Sequence, residues 1–337
     1  MVNEVKKLKI LLTGSFGNVG LSTLKELLKR NYNVRVFDIK NKKNRRISTK
    51  FKHQVEIIWG DITNLKDIEK AVSGCDVIIH VAAIIPPLAD RYPKLAESVN
   101  VGGTSNIIKA MKIQPKKPKL IFTSSVAIYG DRLNNPLIKL TDPLTPNHHD
   151  EYAKQKVRCE EIVKKSGLEW VICRLTYIVS LNKLQMDPLM FEMPLNTCIE
   201  ICDTKDVGLA LVNAIECEEI WGEILHIAGG ERCRITYREY LNEMLGIFGF
   251  GNNVLPEEAF SSKGFHCGFM TTDKSQSLLN YQRHTIDDYF YDVRKKMAFT
   301  RFWTTIFRPF ARKYLLNKSY YYKEYVNNIN SLKLRNI

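Results

Sequence analysis

Tyr152 and Lys156 stand four residues apart in the charge-rich stretch DEYAKQKVRCEE. Residues at that spacing share one face of a helix, so an ammonium at 156 can lie beneath a phenol at 152. A free tyrosine, with a pKa of about 10, is a poor acid or base at neutral pH, and a nearby cation brings that value down by stabilising the phenolate. The pair is therefore competent for proton transfer. Lys154 points to a different face and reads as solvated surface. The spacing alone arises easily, because Lys, Glu, Gln and Arg all favour helix. Its meaning depends on which other groups the chain brings to it.

A second constellation lies at the beginning of the chain, where the apolar run LKILLTG passes directly into TGSFGNVG. Gly14, Gly17 and Gly20 are three apart, which suits a tight turn, close approach of backbone to a pyrophosphate, and packing of the following helix on the strand. Asn18, Val19 and Gly20 open that helix, whose free N–H groups and partial positive charge suit phosphate. Asp38 ends the next apolar run, eighteen residues after Gly20. A carboxylate there can accept hydrogen bonds from adenosine ribose hydroxyls. It would repel a 2′-phosphate, so NAD is favoured over NADP, with Lys40, Lys42 and Arg45 close enough to keep NADP open.

The elements that must position these groups alternate. Short apolar runs (VRVFDI, VEIIWGD, DVIIHVAA, KLIFTSS, EWVICRL) are separated by amphipathic helical stretches (GLSTLKELLKR, LKDIEKAV, SNIIKAMK and the helix of Tyr152). Almost wholly apolar strands separated by helices predict an α/β fold, a doubly wound parallel sheet covered on both faces. From about residue 180 the pattern loosens into a loop-like SLNKLQMDPLMFEMPL, a helix after Asp206, a strand GEILHIAG and a helix TYREYLNEMLGIFG. The predicted division is a Rossmann domain over 1–180 with a return contribution near 200–230, a smaller, mainly helical lobe over 181–293, and a tail over 294–337.

Composition narrows the function classes. The 337 residues are 45% apolar and 26% charged, a globular balance, and the eight cysteines form no CxxC pair. Neither a zinc site nor a disulfide framework is indicated. The N-terminal MVNEVKKLKILLTG reads as the first strand of a cytoplasmic protein rather than a leader, and no apolar run approaches the roughly 18 residues needed to span a bilayer. The formal charge of +14 is concentrated in the tail, where eleven basic residues face a single acid, Glu324, for a net +10. The rest of the chain calls for no polyanion, so a nucleic-acid partner is not expected.

With these motifs in order, the chain resembles the extended short-chain dehydrogenases/reductases, the NAD-dependent epimerase/dehydratase family, over roughly residues 7–290. TGSFGNVG is similar to the family's glycine-rich turn, and GDI (Gly60, Asp61, Ile62) to its adenine contact. HVAA (His80 to Ala83) resembles the strand end that passes the cofactor, with Ala82 and Ala83 beside it, and NVGGT (Asn100 to Thr104) the helix-embedded asparagine motif. TSSVAIYG (Thr123 to Gly130) resembles the segment supplying the catalytic serine, YAKQK the YxxxK, and DTKDVGLAL (Asp203 to Leu211) the return to the cofactor domain. The resemblance implies that Ser125, rather than Ser124, orients the substrate oxygen. It also implies that Tyr152 takes or gives the hydroxyl proton and that Lys156 holds the nicotinamide ribose while tuning Tyr152. Asp61, Ile62, Asn100 and Thr123 would join the cofactor contacts, and a homodimer is the usual assembly. His80 reads as a packed strand histidine, with no metal implied.

Departures from the family pattern shape the expected reaction. Val126 and Ala127 stand where family dehydratases carry Asp and Glu, which disfavours dehydration. Tyr177 stands where nucleotide-sugar epimerases usually have an asparagine. The expectation is an NAD(P)-dependent oxidoreductase acting on a small hydroxy or keto substrate. A nucleotide-sugar epimerase with tightly bound NAD, and a non-catalytic NAD sensor, are the alternatives. In the tail, Phe299, Phe302, Trp303, Ile306, Phe307 and Phe310 recur at helical spacing among Arg301, Arg308, Arg312 and Lys313. That pattern suits either an amphipathic helix docked on its own domain or on a second subunit, or peripheral contact of 297–325 with an anionic membrane, at the inner face. Pro309 interrupts the helix.

Overall fold

The computed structural model describes residues 7–335, except 183 and 185. The first six and last two residues, which belong to the predicted N-terminal strand stretch and the tail, lie outside the described residues, as do two positions of the loop after 180.

In the first half the chain runs β1 (Lys9–Thr13), α1 (Asn18–Lys29), β2 (Asn33–Asp38), α2 (Lys42–Ser48), β3 (Glu56–Trp59), α3 (Leu65–Val72) and β4 (Val77–His80). Short helices α4 (Leu88–Arg91) and α5 (Pro93–Glu97) lead through a π-helical turn, Ser98–Gly102, into α6 (Gly103–Lys112). Then come β5 (Lys119–Ser125), the two-residue β6 (Leu137–Ile138), α7 (Glu151–Lys164) and β7 (Trp170–Leu175). The second half contains β8 (Tyr177–Val179), β9 (Cys198–Asp203), α8 (Thr204–Asn213), β10 (Ile224–Ile227) and β11 (Arg234–Thr236). It closes with α9 (Tyr237–Phe248), β12 (Phe269–Met270), α10 (Asp273–Leu279), α11 (Ile286–Ile306), α12 (Arg308–Leu316) and α13 (Tyr320–Arg335).

Seven strands form one parallel sheet in the order β3-β2-β1-β4-β5-β7-β10. The chain order reverses between β1 and β4, which opens a crevice beyond their carboxyl ends. Both faces of the sheet are covered, which is why its strands read as nearly continuous apolar runs. On one face α1 and α8 bury Leu24, Leu27, Val207 and Leu211 against Ile10, Leu12 and Val36. On the other, α3, α6 and α7 bury Ile68, Ile107, Met111, Cys159 and Val163 against Leu11, Ile78 and Leu120. Gly208 lets α8 approach α1 closely, since a Cβ there would lie 2.8 Å from the Ser22 carbonyl carbon.

The second half divides its residues between two bodies. Strand β10 and helices α8 and α10 complete the Rossmann layers, with Leu279 and Tyr281 in the same core as β1. A separate core gathers Phe191, Tyr237, Tyr240, Leu245, Phe248, Tyr289, Phe290 and Val293 from α9, α11 and the loop before β9. Strands β8, β9 and β11 form a small sheet under it, so this lobe is less purely helical than its sequence pattern. The helix expected after Asp206 begins at Thr204, because the Asp203 side chain caps it by accepting the Lys205 N–H. Pro309 does break the tail helix. Helix α11 stops at Ile306 and α12 restarts with Pro309 in its first turn, where a missing N–H costs nothing.

Candidate active site

Helix α7 carries Tyr152 and Lys156 alongside β5. Asp150 starts it, accepting the Ala153 N–H at 2.8 Å, so Tyr152 sits in the first turn. Lys156 is 4% exposed, and its Nζ donates to the Thr123 carbonyl at 2.7 Å, clamping the helix to the end of β5. The same Nζ lies 5.9 Å from the centroid of the Tyr152 ring and 4.9 Å from that of Phe122. Ser125, the last residue of β5, hydrogen-bonds Tyr152 and caps the following turn by accepting the Ala127 N–H at 3.2 Å. Ser124 turns to the other face of the strand, toward Glu160.

The electrostatics differ from the sequence expectation in one respect. Burial pushes the Tyr152 phenol above its ordinary value, and the Ser125 hydrogen bond only partly offsets this. Burial likewise lowers Lys156. The expected depression of the tyrosine is absent because desolvation disfavours phenolate and ammonium alike, and the ammonium spends a hydrogen bond on Thr123.

The glycine turn lies at the sheet's switch point. Gly14 has φ +65°, and a Cβ there would stand 2.8 Å from the backbone of Ala82, beyond β4. A Cβ on Gly20 would lie 2.1 Å from the Gly14 carbonyl oxygen. The second close approach holds the N-terminus of α1, with Asn18 and Val19 in its first turn, directly against the turn; Gly17 is its cap residue. Asp38 Oδ2 accepts the Phe16 N–H at 2.9 Å, and Oδ1 accepts from Ile39 N at 2.8 Å and Asn44 Nδ2 at 2.9 Å. One carboxylate thus ties the end of β2 to the glycine turn. Burial raises the Asp38 carboxyl, against those backbone hydrogen bonds and Lys43.

Asp61 is exposed after β3, and its Oδ1 accepts the Thr63 N–H at 2.9 Å, while Ile62 is buried next to it. Asn100 occupies the π-helical turn before α6. Its Oδ1 accepts the Ile84 N–H at 2.8 Å, and its Nδ2 donates to Ile84 O at 2.9 Å and to Gln155 Oε1 at 2.7 Å. It therefore pins the strand-end segment that follows Ala82 and Ala83 to the helix of Tyr152. Gln155 and Asn44 were not singled out from sequence. Gln155 carried one legible hint, since it shares a short helical turn with Tyr152 and Lys156.

His80 bridges three elements. Its Nδ1 lies 2.8 Å from Thr13 Oγ1, which accepts the Ala82 N–H at 3.3 Å, and its Nε2 lies 3.2 Å from Thr104 Oγ1, which donates to Asn100 O at 2.6 Å. Those partners assign the proton to Nε2. Burial, followed by the charge of Lys156, lowers its pKa to about 3. It is a neutral packing histidine.

Beneath α7 lies a buried polar chain. Arg174 donates to Glu160 through Nε at 2.9 Å and Nη2 at 2.7 Å, and through Nη1 to the Tyr129 hydroxyl at 2.5 Å. The Tyr129 hydroxyl lies 2.6 Å from His226 Nε2, whose Nδ1 reaches Thr271 O at 3.1 Å.

The crevice at the β1–β4 reversal, the glycine cradle and the Ser125–Tyr152–Lys156 cluster thus occupy one end of the parallel sheet. The sequence profile of the 3-beta hydroxysteroid dehydrogenase/isomerase family matches residues 11–171, the span that builds this end. Over that span the chain is similar to this family, and its motifs stand in the order the sequence resemblance set out. Among relatives, a 3-beta-hydroxysteroid dehydrogenase of Mycolicibacterium neoaurum is 33% identical over 164 residues, 46% of this chain and 42% of that protein. A UDP-glucose 4-epimerase of Pisum sativum is 28% identical over 183 residues, 50% of this chain and 51% of that protein. The chain spans about half the length of the curated relatives it matches. In fold, a dTDP-glucose 4,6-dehydratase of Streptomyces venezuelae, solved with NAD bound, superposes with a TM-score of 0.73 at 19% identity. It covers 88% of this chain and 98% of its own. The likeness of fold therefore continues into the C-terminal lobe, beyond the profile's span.

Proposed function

We propose that this chain is an NAD-dependent oxidoreductase that interconverts a secondary alcohol and a ketone, with Tyr152 as acid/base. The observation that carries the reading is the convergence of Ser125, Tyr152 and a buried Lys156 beside a glycine turn in which a Cβ on Gly14 or Gly20 would strike backbone. The residues present fit a dinucleotide. Gly14, Gly17 and the α1 N-terminus (Asn18, Val19, Gly20) would hold the pyrophosphate, Asp38 the adenosine ribose, and Asp61 and Ile62 the adenine. Ala82, Ala83, Asn100, Thr123, Tyr152 and Lys156 would line the path to the nicotinamide end. Bound there, the cofactor supplies a hydride acceptor or donor.

The chain's own part is proton transfer and orientation. In the reducing direction the phenol, kept protonated by burial, donates to the carbonyl oxygen while the Ser125 hydroxyl holds that oxygen in place. In the oxidising direction Tyr152 must accept the hydroxyl proton, and the Lys156 ammonium is the cation within reach of the phenolate. Its remaining N–H groups, beyond the one given to Thr123, are available to a ribose hydroxyl.

A hydroxy or keto substrate of the 3β-hydroxysteroid kind is supported by the matching family profile. The departures at Val126 and Ala127 weigh against dehydration, since both are buried apolar side chains. The second reading, a nucleotide-sugar epimerase, draws on the Pisum sativum relative. Tyr177 opposes it, because its ring packs against Tyr240 at 6.1 Å inside the lobe core and offers a nucleotide sugar no amide. The 181–293 lobe is the proposed substrate side, and a cytoplasmic homodimer with peripheral membrane contact through the tail is the proposed setting. Among the described residues no helix is long and apolar enough to cross a membrane.

The deciding assay follows NAD during turnover of a panel of hydroxysteroids and UDP-sugars. Stoichiometric NADH formation supports the oxidoreductase, whereas conversion with no net NADH supports epimerisation. Tyr152→Phe should lower kcat about 100- to 10,000-fold with NAD affinity preserved. Unchanged turnover in that variant overturns the assignment, and NAD binding without turnover of any substrate by the wild type leaves the sensor reading standing.

A further inference from the structure

Helices α11 and α12 are docked at their outer ends, and between those ends one face is bare. Tyr289, Phe290 and Val293 of α11 and Leu315 and Leu316 of α12 are buried in the lobe core. Between them Phe299, Phe302, Trp303, Ile306, Phe307, Phe310 and Tyr314 are all exposed, Phe299 by 78% and Phe310 by 75%. They recur every three to four residues, and the Trp303 and Phe307 rings stack at 6.4 Å. Docking of this stripe on the chain's own domain, one branch of the sequence expectation, is not what the structure shows. The charge beside the stripe has one sign, since no acid occurs between Asp292 and Glu324 while Arg301, Arg308, Arg312 and Lys313 are exposed.

Next to the stripe is a cleft of about 440 Å³ lined by Gly249, Gly251, Asn252, Arg301, Thr305 and Arg308, among others. Gly249 has φ +92°, and a Cβ on it would stand 2.6 Å from Arg301 O, so α11 lies close against the end of α9. Arg308 Nε donates to Gly249 O at 3.3 Å, and a Cβ on Gly251 would lie 3.4 Å from Nη1. That guanidinium is oriented by backbone, and among the described residues no carboxylate pairs with it. At the far end of the cleft Arg294 pairs with Glu243, which leaves Arg301 and Arg308 as the excess charge.

We propose that the α11–α12 surface docks on an anionic bilayer and that Arg301 and Arg308 seat a lipid phosphate in this cleft. The inference rests on the peripheral contact named above and assigns it a face, a ligand chemistry and two residues. Trp303 and Tyr314 carry polar edges that suit the headgroup level, the phenylalanine rings suit the acyl boundary beneath it, and the arginines beside them suit phosphate oxygens. A second protein would have to bring a dense acidic rim of its own. A bilayer of anionic lipid supplies that charge along the whole stripe.

The test is co-sedimentation of the full chain with phosphatidylcholine vesicles made with and without phosphatidylglycerol. The wild type should bind only the anionic vesicles. Phe299→Ser/Phe310→Ser should abolish binding without lowering Tm, because both rings are exposed. Arg301→Gln/Arg308→Gln should weaken it about 30-fold, some fivefold for each arginine at the surface. Failure of the wild type to bind anionic vesicles overturns the membrane contact and the phosphate seat together. Full binding by Arg301→Gln/Arg308→Gln, with weakening only in Arg312→Gln/Lys313→Gln, overturns the seat and leaves the contact. Two further outcomes also overturn the proposal. One is stabilisation by soluble glycerol phosphate equal to that by vesicles. The other is a dimer, seen in sedimentation, that Phe299→Ser/Phe310→Ser dissolves.

Discussion

Replacing Glu160 by Gln removes one negative charge from a site that is 0% exposed and leaves its volume unchanged. Burial pushes this carboxyl up, but the paired hydrogen bonds and charge of Arg174 outweigh it and leave it below its ordinary value. In Glu160→Gln the guanidinium, 3% exposed, keeps Tyr129 but meets an amide that can accept only one of its two N–H groups and turns a donor toward the other. Breaking a buried pair on one side costs about 3–5 kcal/mol. With about 2.1 cal/mol/K of unfolding entropy per residue, 337 residues give roughly 0.7 kcal/mol/K, so Tm should fall by about 4–7 °C. Lys164, 3.3 Å from Glu160 but 36% exposed, adds little to that figure. The informative measurement is a thermal-unfolding cycle of Glu160→Gln, Arg174→Met and the double variant. The double variant removes both charges and should regain at least about 2 kcal/mol relative to the sum of the singles. A Glu160→Gln shift under about 1 °C, or strictly additive losses, would refute the reasoning that this pair is a coupled clamp under the helix of Tyr152.

Gly20→Ala places a methyl 2.1 Å from the Gly14 carbonyl oxygen, which forces the turn to move by about 1 Å; NAD affinity, read by titration, should fall about 100-fold, and an unchanged Kd would show that the cradle is not the site. Asp38→Asn keeps an acceptor for Phe16 N but removes the charge that, on the proposed reading, would face a 2′-phosphate, so the NADP-to-NAD ratio of kcat/KM should rise about tenfold, an effect of roughly 1.4 kcal/mol. Acid should destabilise the fold through two buried histidines, His80 held down to about 3 and His226 to about 4, both from an ordinary 6.5. Between those values and 6.5 the unfolded chain binds more protons than the folded one. Stability therefore falls as pH drops below about 6.5, by up to about 1.4 kcal/mol per pH unit for each histidine. Urea midpoints of His80→Gln should show a shallower pH dependence than the wild type over that window, and an identical slope would exclude His80 as a contributor.

The parallel sheet was legible because its strands are covered on both faces, and that requirement writes itself into runs such as KILLT and VIIH. The geometry of the glycine turn and of Asp38 was legible for a related reason: it depends on backbone clearance and on position within a local strand–turn–helix unit. Tyr152 and Lys156 could be paired from spacing alone, since helical geometry is local. What lay out of reach was every property set by contacts distant in the chain. The sequence suggested that a cation would lower the Tyr152 phenol, whereas the folded site raises it, because burial depends on which surfaces close over α7. The roles of Gln155 and Asn44 depend on Asn100 and Asp38 reaching them across a completed fold. The His80 bridge needs β1, β4 and α6 side by side before its ring has partners at all. The tail shows the same division. Its sequence established an amphipathic, cationic, aromatic helix interrupted at Pro309. Only the packing of α11 against α9 and of the end of α12 into the lobe core decided that the aromatic face points outward, because burial of Val293 and Leu315 fixes the rotation of both helices.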